Sequence, residues 1–123
     1  MWYRIAQDQI NIQRFVNSFL QKYPGIILRI TEFDYKIKLD KIEIPKDMRN
    51  LGIGSEILGA LKEYSERINK PIVLNPEPEK GKKGALDRFY KRMEFVKNQG
   101  KNKDYDLSDT FGKTMYYKPK GGF

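Results

Sequence analysis

Residues 42–55 decide the fold, and they read IEIPKDMRNLGIGS. A β-branched stretch stops at Pro45, a polar turn follows, and Gly52 and Gly54 open a segment with helical periodicity. Glycines let a backbone approach a ligand closely, and the first N–H groups of a helix attract negative charge. A strand, a turn and a helix in this order therefore predict a phosphate site, with Ser55 as an added hydroxyl donor. A tight turn that only requires glycine is the simpler alternative.

Other phosphate-binding motifs fit this segment less well. A dinucleotide fingerprint needs a third glycine where Ile57 stands, and a P-loop needs a Gly-Lys-Ser/Thr sequence that the chain lacks.

The flanking segments predict an α/β sheet packed by helices. Helical periodicity predicts one helix over residues 9–22, capped by Asp8, a second after Gly52 and a third around Phe89. The apolar stripe of the first helix comprises Ile12, Phe15, Val16, Phe19, Leu20 and Tyr23. Strands are predicted over residues 2–6, 26–33, 35–44, 72–74, 95–96 and 114–118, and residues 98–113 form a loop.

The predicted strand over residues 35–44 has a break in its alternation. Ile37 and Leu39 share one face, whereas Ile42 and Ile44 are out of step with them. One extra residue near Asp40 restores a common face, which predicts a β-bulge at that point.

Composition narrows the chemistry. The 123 residues suffice for a single domain and include neither cysteine nor histidine, so thiol nucleophiles, disulfides and histidine bases are excluded. No apolar run is long enough to span a membrane and no signal peptide opens the chain, which indicates a cytoplasmic protein of a cell or an infected host. The net charge is +8, and residues 80–123 hold twelve of the basic residues against five acidic ones. Such a surplus attracts polyanions or only solubilises the surface.

Two motifs resemble those of the GNAT superfamily of N-acetyltransferases. RNLGIG at residues 49–54 matches its Arg/Gln-x-x-Gly-x-Gly/Ala motif, and LDRFYKRMEF at residues 86–95 resembles its aromatic-Tyr pair followed by Gly-Phe. The C-terminal part is similar to GNAT domains of phages and other mobile elements. The sequence departs from the family at Glu94, where a glycine is usual, and at Lys83, where many members have an asparagine.

The resemblance implies one GNAT-like domain over residues 1–123 with an abbreviated N-terminal part. The implied fold is a mixed, mostly antiparallel sheet with a central splayed strand pair and about three helices. It also implies acetyl-CoA as co-substrate and no metal. The implied cofactor-binding residues are Ile42, Ile44, Arg49, Asn50, Leu51, Gly52, Ile53, Gly54, Ser55 and Phe89.

The same resemblance implies that Tyr90 protonates the leaving thiolate. The general base stays open among Glu77, Glu43, Asp34 and a relayed water. The acceptor is also open: a protein lysine or N-terminus, a small amine, or the amino acid of a charged transfer RNA. Two alternatives without catalysis are a basic nucleic-acid-binding module and a protein-interaction domain.

Overall fold

In a computed structural model, residues 2–108 and 114–121 are described, with side chains from residue 12 onward. The helices are α1 (Trp2–Lys22), α2 (Ile53–Ile68) and α3 (Lys83–Arg92). The strands are β1 (Ile27–Glu32), β2 (Ile37–Glu43), β3 (Ile72–Leu74), β4 (Val96–Lys97) and β5 (Met115–Tyr117). Short 3-10 turns lie at Lys46–Met48, Gly100–Asn102 and Tyr105–Leu107.

The described strands form one mixed sheet in the order β1-β2-β3-β5-β4. β2 and β3 are parallel and are joined by α2, whereas the other neighbouring pairs are antiparallel. Three helices and a mostly antiparallel five-stranded sheet confirm the predicted fold class.

The bulge predicted from the break in alternation is present. Arg29 pairs with Lys41 and the next residue of β1, Ile30, pairs with Leu39, so Asp40 is the extra residue of β2. Its carboxylate accepts a hydrogen bond of 2.5 Å from the Thr31 hydroxyl across the strand pair. A bulge bends the strand that carries it, and here the bend falls where β2 leaves β3.

The main core lies between the sheet and the helices. α2 contributes the fully buried Ile57, Leu58 and Leu61, as its 3.6-residue periodicity predicts. Phe15 and Phe19 of α1 pack edge to face with ring centroids 5.2 Å apart. A smaller buried cluster on the sheet consists of Val73, Leu107 and Tyr116.

Three predictions about the N-terminal segment are wrong. Asp8 was predicted to cap a helix over residues 9–22, but α1 begins at Trp2, so Asp8 lies within the helix. Residues 2–6 belong to α1 and not to a strand, because a short apolar run cannot by its pattern alone be told from helix. Leu20 was expected in the apolar stripe, but it is 36% exposed while its neighbour Phe19 is buried. The stripe is thus narrower than predicted. Of the predicted loop over residues 98–113, positions 109–113 lie outside the described residues.

Candidate active site

A cavity of about 570 Å³ opens where β2 and β3 part. The two strands pair only from Ile37 with Ile72 to Leu39 with Leu74. β3 ends there, but β2 continues past the bulge to Glu43. Its last residues still pair with β1 on one edge and border the cavity on the other, where β3 has ended. The splayed pair predicted at the centre of the sheet is therefore present.

One end of the cavity is the start of α2. Gly52 has φ +79°, a left-handed conformation that glycine adopts without strain, and Asn50 has φ +65°. The first hydrogen bond of the helix runs from the Glu56 N–H to the Gly52 carbonyl over 2.9 Å. The N–H groups of Ile53, Gly54 and Ser55 precede that bond, so they have no intrahelical acceptor. Of these three residues only Gly54 lines the cavity, so this end offers the Gly54 amide and the positive end of a helix dipole.

Gly54 of α2 lies against Phe89 of α3. A Cβ at this position would lie 3.4 Å from the Cζ atom of Phe89. Both residues line the cavity, so any larger side chain at position 54 would grow into the Phe89 ring or into the cavity. The glycine keeps this end of the cavity open.

Arg49 bridges two walls of the cavity. Its Nε donates to the Ile44 carbonyl over 2.8 Å, and its guanidinium contacts the Glu79 carboxylate at 2.8 and 3.3 Å. The Arg49 hydrogen bonds lower the pKa of Glu79, which therefore carries a negative charge at neutral pH. Glu79 was not predicted from the sequence, since no local pattern links it to an arginine thirty positions earlier.

Tyr90 forms the inner wall. It is 5% exposed, with its ring between those of Phe89 and Phe95 at centroid distances of 5.4 and 5.8 Å. Burial, with a smaller contribution from the negative charge of Glu77, raises the pKa of Tyr90 to about 12. Its hydroxyl makes no hydrogen bond to any residue that the structure describes. The phenol is thus protonated at neutral pH and is available to a ligand.

The candidate bases are distributed unequally. Glu77 and Glu43 line the cavity, whereas Asp34 lies in the β1–β2 turn and does not. Asn75, which also lines it, accepts a hydrogen bond of 2.9 Å from the Thr114 hydroxyl.

The implied cofactor-binding residues fall into two groups. Six of them line the cavity, namely Ile42, Ile44, Arg49, Asn50, Gly54 and Phe89. The other four, Leu51, Gly52, Ile53 and Ser55, lie in the turn and the first turn of α2 without lining it. Leu51 is 71% exposed and Ile53 is buried in the core, so only their backbones are candidates for ligand contact. Lys82 lines the cavity, whereas Lys83, which stands where many GNAT members have an asparagine, does not.

Within residues 2–108 and 114–121 no group of three or more acidic side chains is placed to hold a metal ion. In the same part of the chain, none of the helices has the length and apolar character needed to cross a membrane.

Comparisons with known proteins bear on the fold. No protein-family model matches the chain, and no curated protein matches it either. Among solved structures, the anti-CRISPR protein AcrVA5 is similar at 22% identity with a TM-score of 0.55, over 76% of this chain and 90% of its own. Ard1 from Thermoplasma volcanium is similar at 18% identity with a TM-score of 0.54, over 85% of this chain and 77% of its own. Both of these neighbours have a GNAT-like fold. Three helices around a mixed sheet with a parted central strand pair therefore give this chain the GNAT fold.

Proposed function

We propose that the chain is an acetyl-CoA-dependent N-acetyltransferase that moves the acetyl group directly from the thioester to an amine. The observation that carries the proposal is the continuous cavity between the parted strands, with the free Gly54 amide at one end and the Tyr90 hydroxyl along its wall. Acetyl-CoA is an elongated anionic thioester. Its phosphate groups would lie at the helix N-terminus, which attracts anions, and its thioester end would extend along the cavity toward Tyr90.

The cofactor binds along β2. Its pyrophosphate accepts hydrogen bonds from the backbone between Asn50 and Ser55, and its pantetheine arm pairs with the backbone of Ile42 in β2 and of Ile44 just beyond the strand. Phe89 covers the arm from the side of α3. A backbone N–H near Ile42 stabilises the oxyanion that forms on the acetyl carbonyl.

The transfer step needs no protein nucleophile. The neutral amine attacks the carbonyl carbon, a C–N bond forms, and the C–S bond breaks with its electron pair left on sulfur. The ammonium proton passes to Glu77 or to a water, and the thiolate receives a proton or a hydrogen bond from Tyr90. A Tyr90 pKa of about 12 exceeds that of an ordinary thiol, about 8.5, so hydrogen-bond donation is the larger part of what this phenol offers.

The basic C-terminal third gives less support to a simple nucleic-acid module. Lys118 pairs with Asp104, Lys120 with Glu94, and Lys83 with Asp87, so several of these charges are neutralised locally. Exposed pairs of this kind still leave a positive surface, which makes transfer RNA a testable acceptor scaffold.

Calorimetric titration with acetyl-CoA tests the proposal directly. We expect saturable one-to-one binding and a rise in melting temperature with ligand concentration, because the ligand binds the folded state. A panel of amines, peptides and charged transfer RNA, assayed by release of free thiol, then identifies the acceptor. An absence of binding at millimolar acetyl-CoA would rule out this function.

A further inference from the structure

A second cavity, of about 390 Å³, lies behind the first. Pro78 borders both cavities, and the hydrogen bond between Asn75 and Thr114 joins a lining residue of one to a lining residue of the other. α3 is shared in the same way, since Phe89 and Tyr90 face the first cavity while Lys83 and Asp87 face the second. The two cavities are thus separated by little more than the segment from Asn75 to Pro78.

The second cavity is positively charged. Among the described residues that line it, Lys83, Lys97 and Lys103 stand against a single acidic residue, Asp87. The ammonium groups of Lys83 and Lys97 both contact the same oxygen, Oδ2 of Asp87, at 3.2 and 3.3 Å. An ammonium group has three N–H donors, so each lysine retains donors beyond the one directed at Asp87. Asp87 therefore holds two ammonium groups side by side, and each of them keeps N–H donors that Asp87 does not accept.

The opposite wall is held in place by hydrogen bonds. The side chain of Asn98, which is 7% exposed, donates to the Asp104 carbonyl at 2.8 Å and accepts from the Asp104 N–H at 2.7 Å. Its amide also donates to the Ser108 hydroxyl at 3.3 Å. Ser108 and Asn98 both line the cavity, so this wall is formed before any ligand arrives.

We propose that the second cavity binds an anionic group, a phosphate or a carboxylate, of the amine acceptor. The ammonium groups of Lys83 and Lys97, held next to each other by Asp87, can donate to two different oxygens of such a group. Charge-assisted hydrogen bonds of this type are strong. An acceptor anchored there must extend past the Asn75–Pro78 segment, which borders both cavities, for its amine to enter the first one. The assignment rests on the proposed transferase function, because the amine has an acetyl donor to react with only if acetyl-CoA occupies the first cavity.

The anion site is tested on protein saturated with CoA, which occupies the phosphate positions of the first cavity. Inorganic phosphate is then titrated and followed by backbone amide NMR. We expect saturable shifts at Lys97, Asn98 and Ser108. In the double variant Lys83→Gln/Lys97→Gln, phosphate affinity should fall about tenfold or more. The matched control Lys91→Gln/Lys101→Gln removes the same charge from exposed positions outside both cavities and should bind phosphate as the parent does.

Paired amines identify the source of the anion. Phosphoethanolamine is compared with ethanolamine, and β-alanine with propylamine, in acetylation assays on the parent and both double variants. The parent should acetylate the anionic member of a pair with a kcat/KM at least tenfold higher than that of the neutral member. In Lys83→Gln/Lys97→Gln this preference should disappear, because KM for the anionic amine rises. The pair that shows the preference distinguishes phosphate from carboxylate.

Phosphate shifts that are absent, or that weaken equally in both double variants, would overturn the assignment. Equal acetylation of charged and neutral amines by the parent would overturn it as well. If CoA does not bind, the proposed function falls, and the same phosphate titration on the free protein and the two variants still decides whether the cavity binds anions.

Discussion

The backbone N–H of Phe95 donates to the Tyr90 carbonyl over 3.0 Å, and the two rings lie edge to face with centroids 5.8 Å apart. The Glu94 N–H donates to the Lys91 carbonyl over 2.9 Å, which completes a Schellman motif at the end of α3. A hydrophobic contact such as that between Tyr90 and Phe95 often accompanies this motif. The helix end thereby fixes the ring of Tyr90 against the cavity.

Tyr90→Phe should lower the acetyl-transfer rate by roughly 10²–10³-fold, the range for loss of one positioned donor to a developing anion. Binding of acetyl-CoA should change little, since the loss lies in the transition state. Rates from thiol release and dissociation constants from calorimetry measure the two effects. Tyr117→Phe is the control, because that hydroxyl bonds Glu66 instead of facing the cavity. If Tyr90→Phe transfers acetyl at the parental rate, the Tyr90 ring only packs in the core and its hydroxyl has no role in the reaction.

Gly54→Val should abolish the thermal stabilisation by acetyl-CoA, because a Cβ there already lies 3.4 Å from Phe89 and the added methyl groups enter the cavity. Gly59→Val is the matched control on the same helix, where a Cβ meets nothing within 4 Å. Both variants replace glycine, the poorer helix former, by the same β-branched residue, so only the response to ligand should differ. A full thermal shift in Gly54→Val would place the cofactor elsewhere.

Glu79→Gln should tighten acetyl-CoA binding, because the Glu79 carboxylate competes with the ligand's phosphates for Arg49. The gain should be only about two- to fivefold, because the ion pair between Arg49 and Glu79 is partly exposed and therefore weak. Arg49→Gln should weaken binding. The pKa of Glu79 is lowered, so the competition persists throughout the neutral range. Glu63→Gln removes an equal charge from the exposed side of α2 and serves as control. Equal affinities in Glu79→Gln and Glu63→Gln would refute competition at Arg49.

The raised pKa of Tyr90 predicts a stability change in alkali. The folded-state pKa of about 12 exceeds the ordinary value of 10.0, so its stabilising contribution is complete below pH 10 and is lost as pH rises through 12. The difference in melting temperature between the parent and Tyr90→Phe should therefore be constant below pH 10. Above pH 10, the melting temperature of the parent should fall relative to that of Tyr90→Phe. A difference independent of pH would mean that the phenol titrates normally.

Glu94→Gly should be more stable than Glu94→Gln by a few degrees in melting temperature. Position 94 has φ +71°, which glycine adopts without strain, and both variants lose the contacts to Lys62 and Lys120. Those lysines lower the pKa of Glu94 to about 2. The carboxylate's contribution is thus present above the ordinary pKa of 4.5 and is lost as pH falls through 2. Equal melting temperatures of the two variants would show that the backbone conformation costs nothing.

Local patterns predicted much of this architecture. The periodicity of α2 gave its buried face, and the broken alternation around Asp40 gave the bulge that parts the strands. The prediction of a strand over residues 2–6 was wrong because five residues, with Arg4 among them, are too few to distinguish a period of 2 from one of 3.6.

The site was predictable only where it follows local chemistry. The glycines at the start of α2 predict a phosphate site from local chemistry, and this stays a prediction. The contact of Arg49 with Glu79 and that of Lys83 and Lys97 with Asp87 depend on tertiary structure. No spacing in the sequence encodes such distant pairs.

The short pairing between β2 and β3 has a consequence for the order of folding. β1 and β2 pair along the whole of β1 through a local hairpin, whereas β2 meets β3 over three residues and only after the chain has passed through α2. Closing that longer loop costs more chain entropy and is repaid by fewer hydrogen bonds. We therefore expect the hairpin to form early and β3 to dock late, so that the cavity is the last part of the molecule to assemble and among the first to exchange its amide hydrogens.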